Sequence, residues 1–268
     1  MESTARDQTG LAIPVLVLGS GVIAIIGAFL GSGAIVGTPI QDAAGGWLSA
    51  DSTPLAPASP AFRIWSVIYL GLFAYSIWQL LPAQRLLDRH RRLRLWAAAA
   101  MLLNAGWIWV VQAGWLAASL LVIVVLLAVL VRILFILMRT RAENAADTII
   151  TDGTFGLYLG WVTVATIANT SAVLGAAGFS GFGLSVPLLA SVVLALAAVI
   201  GVAQAWRTGG RIAPALALAW GLAWIAVGRV DGGLESTGTA IAAAICSAAV
   251  LLAAVVLWLK FRRLERAT

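Results

Sequence analysis

The chain has 268 residues, 62% of them hydrophobic and only 10% charged, and a net charge of +6. An ordinary soluble domain carries roughly 25% charged residues, so this composition excludes a globular domain in water: most of the surface must face lipid or other helices. The positive charge does not point to nucleic acid either, because the basic residues are sorted into particular connections and do not form one face of a folded surface.

Taken in chain order, eight stretches reach the roughly 20 predominantly apolar residues that a bilayer-crossing helix needs. They lie at 11–36, 62–81, 95–112, 115–138, 155–174, 185–206, 212–230 and 238–260. The fold class they predict is all-α, a polytopic transmembrane helix bundle of about eight spans. The first stretch exceeds the roughly 7 to 15 apolar residues of a signal-peptide core, and Arg6 is offset by Glu2 and Asp7, so an uncleaved anchor is expected. In this helix Gly27 with Gly31, and Gly33 with Gly37, lie four apart, as do Gly156 and Gly160 in the fifth. Such pairs put a backbone groove on one face, so helices one and five should have close neighbours.

The connection at 37–59 is the longest on its side and carries Pro39, Gly45, Gly46, Trp47, Pro54 and Pro57. It should be irregular and lie over helix ends, either as a plain connector or as a lid on an outward-opening cavity. Ala113 and Gly114 leave room only for a tight antiparallel hairpin between the third and fourth helices. Of the 17 basic residues, all but Arg63 and Arg229 fall at the ends that share a side with the amino terminus, including the run Arg85, Arg89, Arg91, Arg92 and Arg94. By the positive-inside rule both termini are expected in the cytoplasm, with the arginine run reading as a solvated topology signal beside anionic headgroups.

Several chemistries are set aside by what the spans lack. No acidic residue lies deep in a span, Asp152 and Asp231 falling at helix ends, which disfavours ion-coupled transport. A retinal Schiff base needs a lysine inside a helix, and the only lysine, Lys260, stands at a helix end. His90, the single histidine, belongs to the basic connection, and no His, Cys, Asp and Glu cluster offers metal spacing. Cys246 is alone, so no disulfide is available and a small buried hydrophobe is its expected role. No cofactor is called for.

What is distinctive is tryptophan, 12 in all, and a few amides in otherwise apolar helices. Trp78, Trp96, Trp206 and Trp258 fall near helix ends, as interface anchors do. Others form mixed aromatic and polar stripes: Trp65 with Tyr69 at i+4, Asn104 with Trp107 at i+3, and Trp161 with Asn169 at i+8, each pair on a shared helix face. An amide in hydrocarbon is costly without a hydrogen bond, so Asn104 and Asn169 should point into the bundle, as interhelical ties or as parts of a cavity wall. Flat aromatic walls with few directional donors suit a large planar apolar ligand.

The same residues resemble the TspO/MBR family, the tryptophan-rich sensory proteins that include the translocator protein or peripheral benzodiazepine receptor. Ile64-Trp65-Ser66-Val67-Ile68-Tyr69 looks like that family's second-helix opening, Leu103-Asn104-Ala105-Gly106-Trp107 like its third-helix motif, and the run from Tyr158 through Gly160, Trp161 and Thr166 to Asn169 like its fifth-helix signature. The resemblance covers about the first 175 residues. It implies a five-helix core with a pocket beneath the first loop, and binding of tetrapyrroles such as protoporphyrin or, in some members, sterols. By it, the ligand-binding positions are Trp65, Tyr69, Asn104, Trp107, Trp161 and Asn169, with no catalytic or metal-ligating residue. Leu157 stands where that family has a proline, the first loop lacks its Trp-Pro clusters, and three further helices follow, so the chain looks like an extended, divergent branch. Residues 1–176 are expected to form the five-helix bundle and 177–268 a three-helix extension.

The function expected is ligand binding of a sensory or regulatory type by an integral membrane protein, with a planar hydrophobic molecule such as a porphyrin as partner, the lipid bilayer as surroundings, and no requirement for catalysis. The alternatives are facilitated transport of a small apolar solute, and a structural or assembly role in which the glycine faces dock other chains, including copies of this one. Abundant alanine, and arginine in place of all but one lysine, suggest a GC-rich bacterial source and a bacterial cell membrane.

Overall fold

The computed structural model describes the backbone of residues 2–31 and 38–267, with side chains over 10–31 and 38–264. The Gly33 and Gly37 pair, and the side chains of Glu2, Arg6, Asp7 and Arg266, lie outside the described residues. Eight main helices follow one another: α1 Glu2–Gly31, α2 Ile64–Trp78, α3 Asp88–Gln112, α4 Leu116–Arg139, α5 Thr154–Ala176, α6 Val186–Arg207, α7 Ile212–Gly228 and α8 Thr237–Ala267. Among the described residues there is no strand, and seven helices are long and apolar enough to cross a membrane. The chain is an all-α polytopic integral membrane protein.

The exception in length is α7. It has 17 residues, about 26 Å at roughly 1.5 Å per residue, slightly less than a hydrocarbon core of about 30 Å. Its ends are set by arginines: Arg211 is the residue before it, and Arg229 closes it. The predicted stretch 212–230 therefore overruns the helix, because the Arg229 side chain turns away to hold another part of the chain.

Helix order in sequence is not helix order in space. α1 packs along α3, α3 along α4, α4 along α5, and α2 fits between α1 and α5. After α5 the chain skips outward: α6 barely meets α5 and packs on α8, while α7 lies against both α5 and α8. Glycines fix two of these contacts. A Cβ on Gly31 would run into the Ile108 side chain of α3, and one on Gly160 into the Pro214 carbonyl oxygen of α7 and to within 2.9 Å of Ala217. Helices one and five thus have the intimate neighbours that their glycine spacing foretold. Gly114, at φ +77°, makes the tight α3–α4 reversal, in a conformation that a side chain would strain.

Two apolar cores meet along the α5–α7 seam. One is built around Leu72, Tyr75, Met101, Leu130, Tyr158 and Trp161. The other gathers Leu194, Leu218, Leu222, Ile225 and Val250.

The basic run departs from its expected solvated state. α3 starts at Asp88, so Arg89 to Arg94 form its first two turns, and while Arg91 and Arg92 are exposed, Arg89, His90 and Arg94 are buried. Arg89 Nε lies 3.2 Å from Asp147 and its guanidinium also pairs with Asp152, which Arg211 grips from the other side. His90 Nε2 sits 3.1 Å from Gln84 Oε1 and 3.4 Å from Asp147 Oδ1. Arg94 donates to Gln79 Oε1 at 2.8 Å and to the Arg85 carbonyl at 2.7 Å. The acids come from a short turn, Ala145–Asp147, and a single π-helical turn, Thr148–Gly153, that lead without a break into α5. Burying these charges is possible only because each has an opposite charge or a hydrogen-bond acceptor beside it. The elements that meet here are the α2–α3 connection, α3, the α4–α5 connection and the residue that leads into α7.

Candidate ligand-binding site

At the opposite end of the bundle from this charged cluster, α2 and the 3-10 turn Ser59–Arg63 that leads into it present an aromatic and polar stripe. Ser59, Phe62, Trp65, Ser66 and Tyr69 recur at three to four residues, so they share one helix face. Facing them from α3 are Asn104 and Trp107, and from α1 Ile25, Ala28 and Phe29; together these line a hollow of about 610 Å³. The start of the first loop, Pro39, Ile40 and Gln41, forms the remaining wall. Ser59, Phe62, Ser66 and Gln41 were not singled out in the sequence, although the spacing from Ser59 to Tyr69 carried the signal. Among the described residues, no arginine, lysine, histidine, aspartate or glutamate lines this hollow.

The polar groups in it are oriented. Asn104 Nδ2 donates to the Tyr69 hydroxyl at 2.7 Å, which ties α3 to α2 and meets the need of a buried amide for a partner. Trp65 stacks on Tyr69, with ring centroids 5.2 Å apart and an interplanar angle of 21°. Its edge contacts run to Tyr158 at 5.8 Å and to Trp161 at 6.3 Å. Rings from α2 and α5 therefore meet around Trp65, and the α3 indole of Trp107 lines the same hollow as Trp65.

Trp161 and Asn169 stand one layer back. Trp161 is 1% exposed and packs edge-on against Phe62 at 5.5 Å. With Asn169, Trp47 and Leu48 it borders only a small void of about 40 Å³, of which Trp107, Phe62 and Ile40 form the shared partition with the larger hollow. Asn169 is satisfied across helices by Ser119 of α4, at 3.1 Å. Four of the six predicted site residues thus line the large hollow, and two lie behind its wall. Among the described residues, Trp107 and Trp161 both keep a buried indole N–H without an acceptor.

The first loop roofs this end and is fastened from several sides. Gln112 Nε2 donates to the Gly31 carbonyl at 2.6 Å and to the Thr38 carbonyl at 2.7 Å, spanning the end of α1 and the start of the loop. Trp47 lies on Gly175 near the end of α5, where a Cβ would come within 2.9 Å of its ring. The largest tether comes from the last helices. Arg229, only 1% exposed, donates to the Thr53 carbonyl at 2.9 Å and to the Ala50 carbonyl at 2.6 Å. Burial pulls its guanidinium below the ordinary arginine value, against the opposing pull of Asp51. Asp51 in turn accepts from the Gly233 backbone at 2.9 Å, and the Ala58 N–H donates to the Trp224 carbonyl at 3.1 Å. Arg229 looked like a stray outward charge in the sequence; its partners are backbone carbonyls, which leave no trace in residue identity.

Among the described residues no group of His, Cys, Asp and Glu could hold a metal ion. Neither the curated proteins nor the solved structures contain a match to the chain. The family profile described as TSPO-like protein, in contrast, matches residues 18–258, which takes in the latter part of α1, all of α2 to α7 and most of α8. A roofed aromatic hollow in a helical membrane bundle and a family match that runs on through the last three helices lead to one conclusion: the chain belongs to the TSPO-like protein family.

Proposed function

We infer that this membrane protein binds a planar hydrophobic molecule, such as a tetrapyrrole, in the hollow between α1, α2 and α3, and acts as a sensor or regulator. The observation that carries this reading is the convergence of Trp65, Tyr69, Asn104 and Trp107 from two separate spans on one roofed space. Its volume of about 610 Å³ falls within the roughly 300–1,000 Å³ typical of small-molecule sites. Aromatic walls offer a flat ligand stacking area at low entropy cost, and the unpartnered N–H of Trp107 offers a donor to an acceptor on that ligand. Among the described residues no nucleophile and base pair lines the hollow, so the reading asks only for binding.

In this reading both termini lie in the cytoplasm of a bacterial cell. Every residue lining the hollow falls within 1–176, and 177–268 serve as a brace that holds the roof. Titration of the purified protein with protoporphyrin, followed by tryptophan fluorescence, tests the assignment. Trp65→Ala and Trp107→Ala are each expected to weaken binding by up to about tenfold, given roughly 0.5–1.5 kcal/mol per aromatic pair. Equal, weak quenching in the wild type and both variants removes the pocket assignment.

A further inference from the structure

A concavity larger than the aromatic hollow lies elsewhere in the molecule. At the charged end of the bundle a groove of about 1,070 Å³ opens between α2, the end of α4, the π-helical turn and the starts of α5 and α7. Its long wall is apolar: Val67, Leu70, Gly71 and Ala74 from α2, faced by Leu134 and Leu157. Val67 and Leu70 are exposed to the outside, so in a membrane this wall opens directly onto acyl chains. From Val67 to Ala74 the groove follows seven residues of α2, a depth of about 10 Å along the helix.

The inner end of the groove is polar and positive. Arg141, Arg211, Thr140 and Thr148 line it, as does Asp152. Asp152 pairs with Arg89 and Arg211, and Arg89 also with Asp147, so these two acids and two guanidiniums balance and Arg141 supplies the net positive charge. Arg141 is exposed and, among the described residues, makes no ion pair; Glu143, two residues on, does not line the groove. The first turn of α7, Ile212 to Pro214, also faces in, adding the positive end of a helix dipole. Trp258 of α8 stands at the rim, held there because Gly210, at φ +78°, lets the backbone of the α6–α7 turn touch that of α8.

We propose that this groove seats an anionic phospholipid drawn from the surrounding leaflet, its phosphate beside Arg141 and Arg211 and one acyl chain along Val67, Leu70 and Ala74. The two halves of the site match the two halves of that molecule. A cationic end is what a phosphate needs, and an apolar trough open to the bilayer is what a chain needs. A zwitterionic lipid would bring its own cation to the same end and lose the charge complementarity. A free phosphate would leave the trough unused.

Native mass spectrometry of the intact protein, exchanged from detergent into phosphatidylglycerol or phosphatidylcholine, reads this out. The wild type is expected to retain one phosphatidylglycerol with about tenfold preference over phosphatidylcholine. Arg141→Gln, at an exposed position, should bring that preference close to one without disturbing the fold. Ala74→Phe, filling the trough, should reduce retention of both lipids. Glycerol phosphate without acyl chains should fail to displace the bound lipid. Equal retention of the two lipids by the wild type overturns the proposal, as does an unchanged preference in Arg141→Gln. Full retention by Ala74→Phe, or displacement by glycerol phosphate, overturns the assignment of the trough.

Discussion

Arg229 shows how much one side chain can organise when it is buried. It satisfies two loop carbonyls that would otherwise be sealed against α7 with no donor, and each hydrogen bond from a charged group contributes roughly 1.5–3 kcal/mol. Arg229→Ala is therefore expected to lower the thermal midpoint and to open the first loop to limited proteolysis between Ala50 and Ala58. Arg229→Lys should rescue little, because a single ammonium cannot reproduce a planar fork that addresses two carbonyls at once. If the loop resists protease equally in all three proteins, the roof is held by its other tethers, Trp47, Gln112, Asp51 to Gly233 and Ala58 to Trp224. Loosening the roof should also weaken ligand binding in the hollow beneath it, because Pro39, Ile40 and Gln41 belong to the same loop.

Helix contacts are decided by where glycines fall. Gly160 has no room for a side chain, being set against the Pro214 carbonyl and Ala217 of α7, whereas Gly106 of α3 has nothing within 4 Å of its missing Cβ. Gly160→Val should push α5 from α7 and cost several kcal/mol, in the range of overpacked cores or above. Gly106→Ala should be neutral or stabilise by up to about 1 kcal/mol, since only helix propensity changes. Detergent-based thermal unfolding compares the two, and equal midpoints would mean that the seam is not tightly packed. The same contrast explains what the sequence could tell in advance. Spans and glycine faces were legible because length, apolar runs and four-residue spacing are local properties. The start of α3 was not, because Arg89 and His90 look solvated until Asp147 and Asp152, far along the chain, are folded against them. The site was legible in the same partial way: the Trp65 and Tyr69 stripe sits on one helix, while the partition that puts Trp161 behind Trp107 depends on how three helices and a loop pack together.

At the scale of the whole molecule the two ends are held by different means. One end is a roofed aromatic hollow tied by neutral hydrogen bonds and the Arg229 fork; the other is an ionic knot in which Asp152 joins Arg89 of α3 to Arg211 at the head of α7. Because α7 also packs along α5 and α8, that knot couples the first helices to the last ones. Its worth is tested by taking away the shared acid. Asp152→Asn keeps the shape but leaves the Arg211 guanidinium without an anion, while Arg89 keeps Asp147, and breaking a buried pair typically costs about 3–5 kcal/mol. Arg211 is 29% exposed, so water can take up part of its charge and the loss should fall at the lower end of that range. Removing the cation as well, in Asp152→Asn with Arg211→Met, should recover much of the stability, since an unpaired charge is costlier than an apolar side chain of similar length. A double-mutant cycle read by thermal unfolding gives the coupling directly. Strict additivity of the two losses would show that Asp152 and Arg211 act independently and that this knot does not help to dock the last three helices.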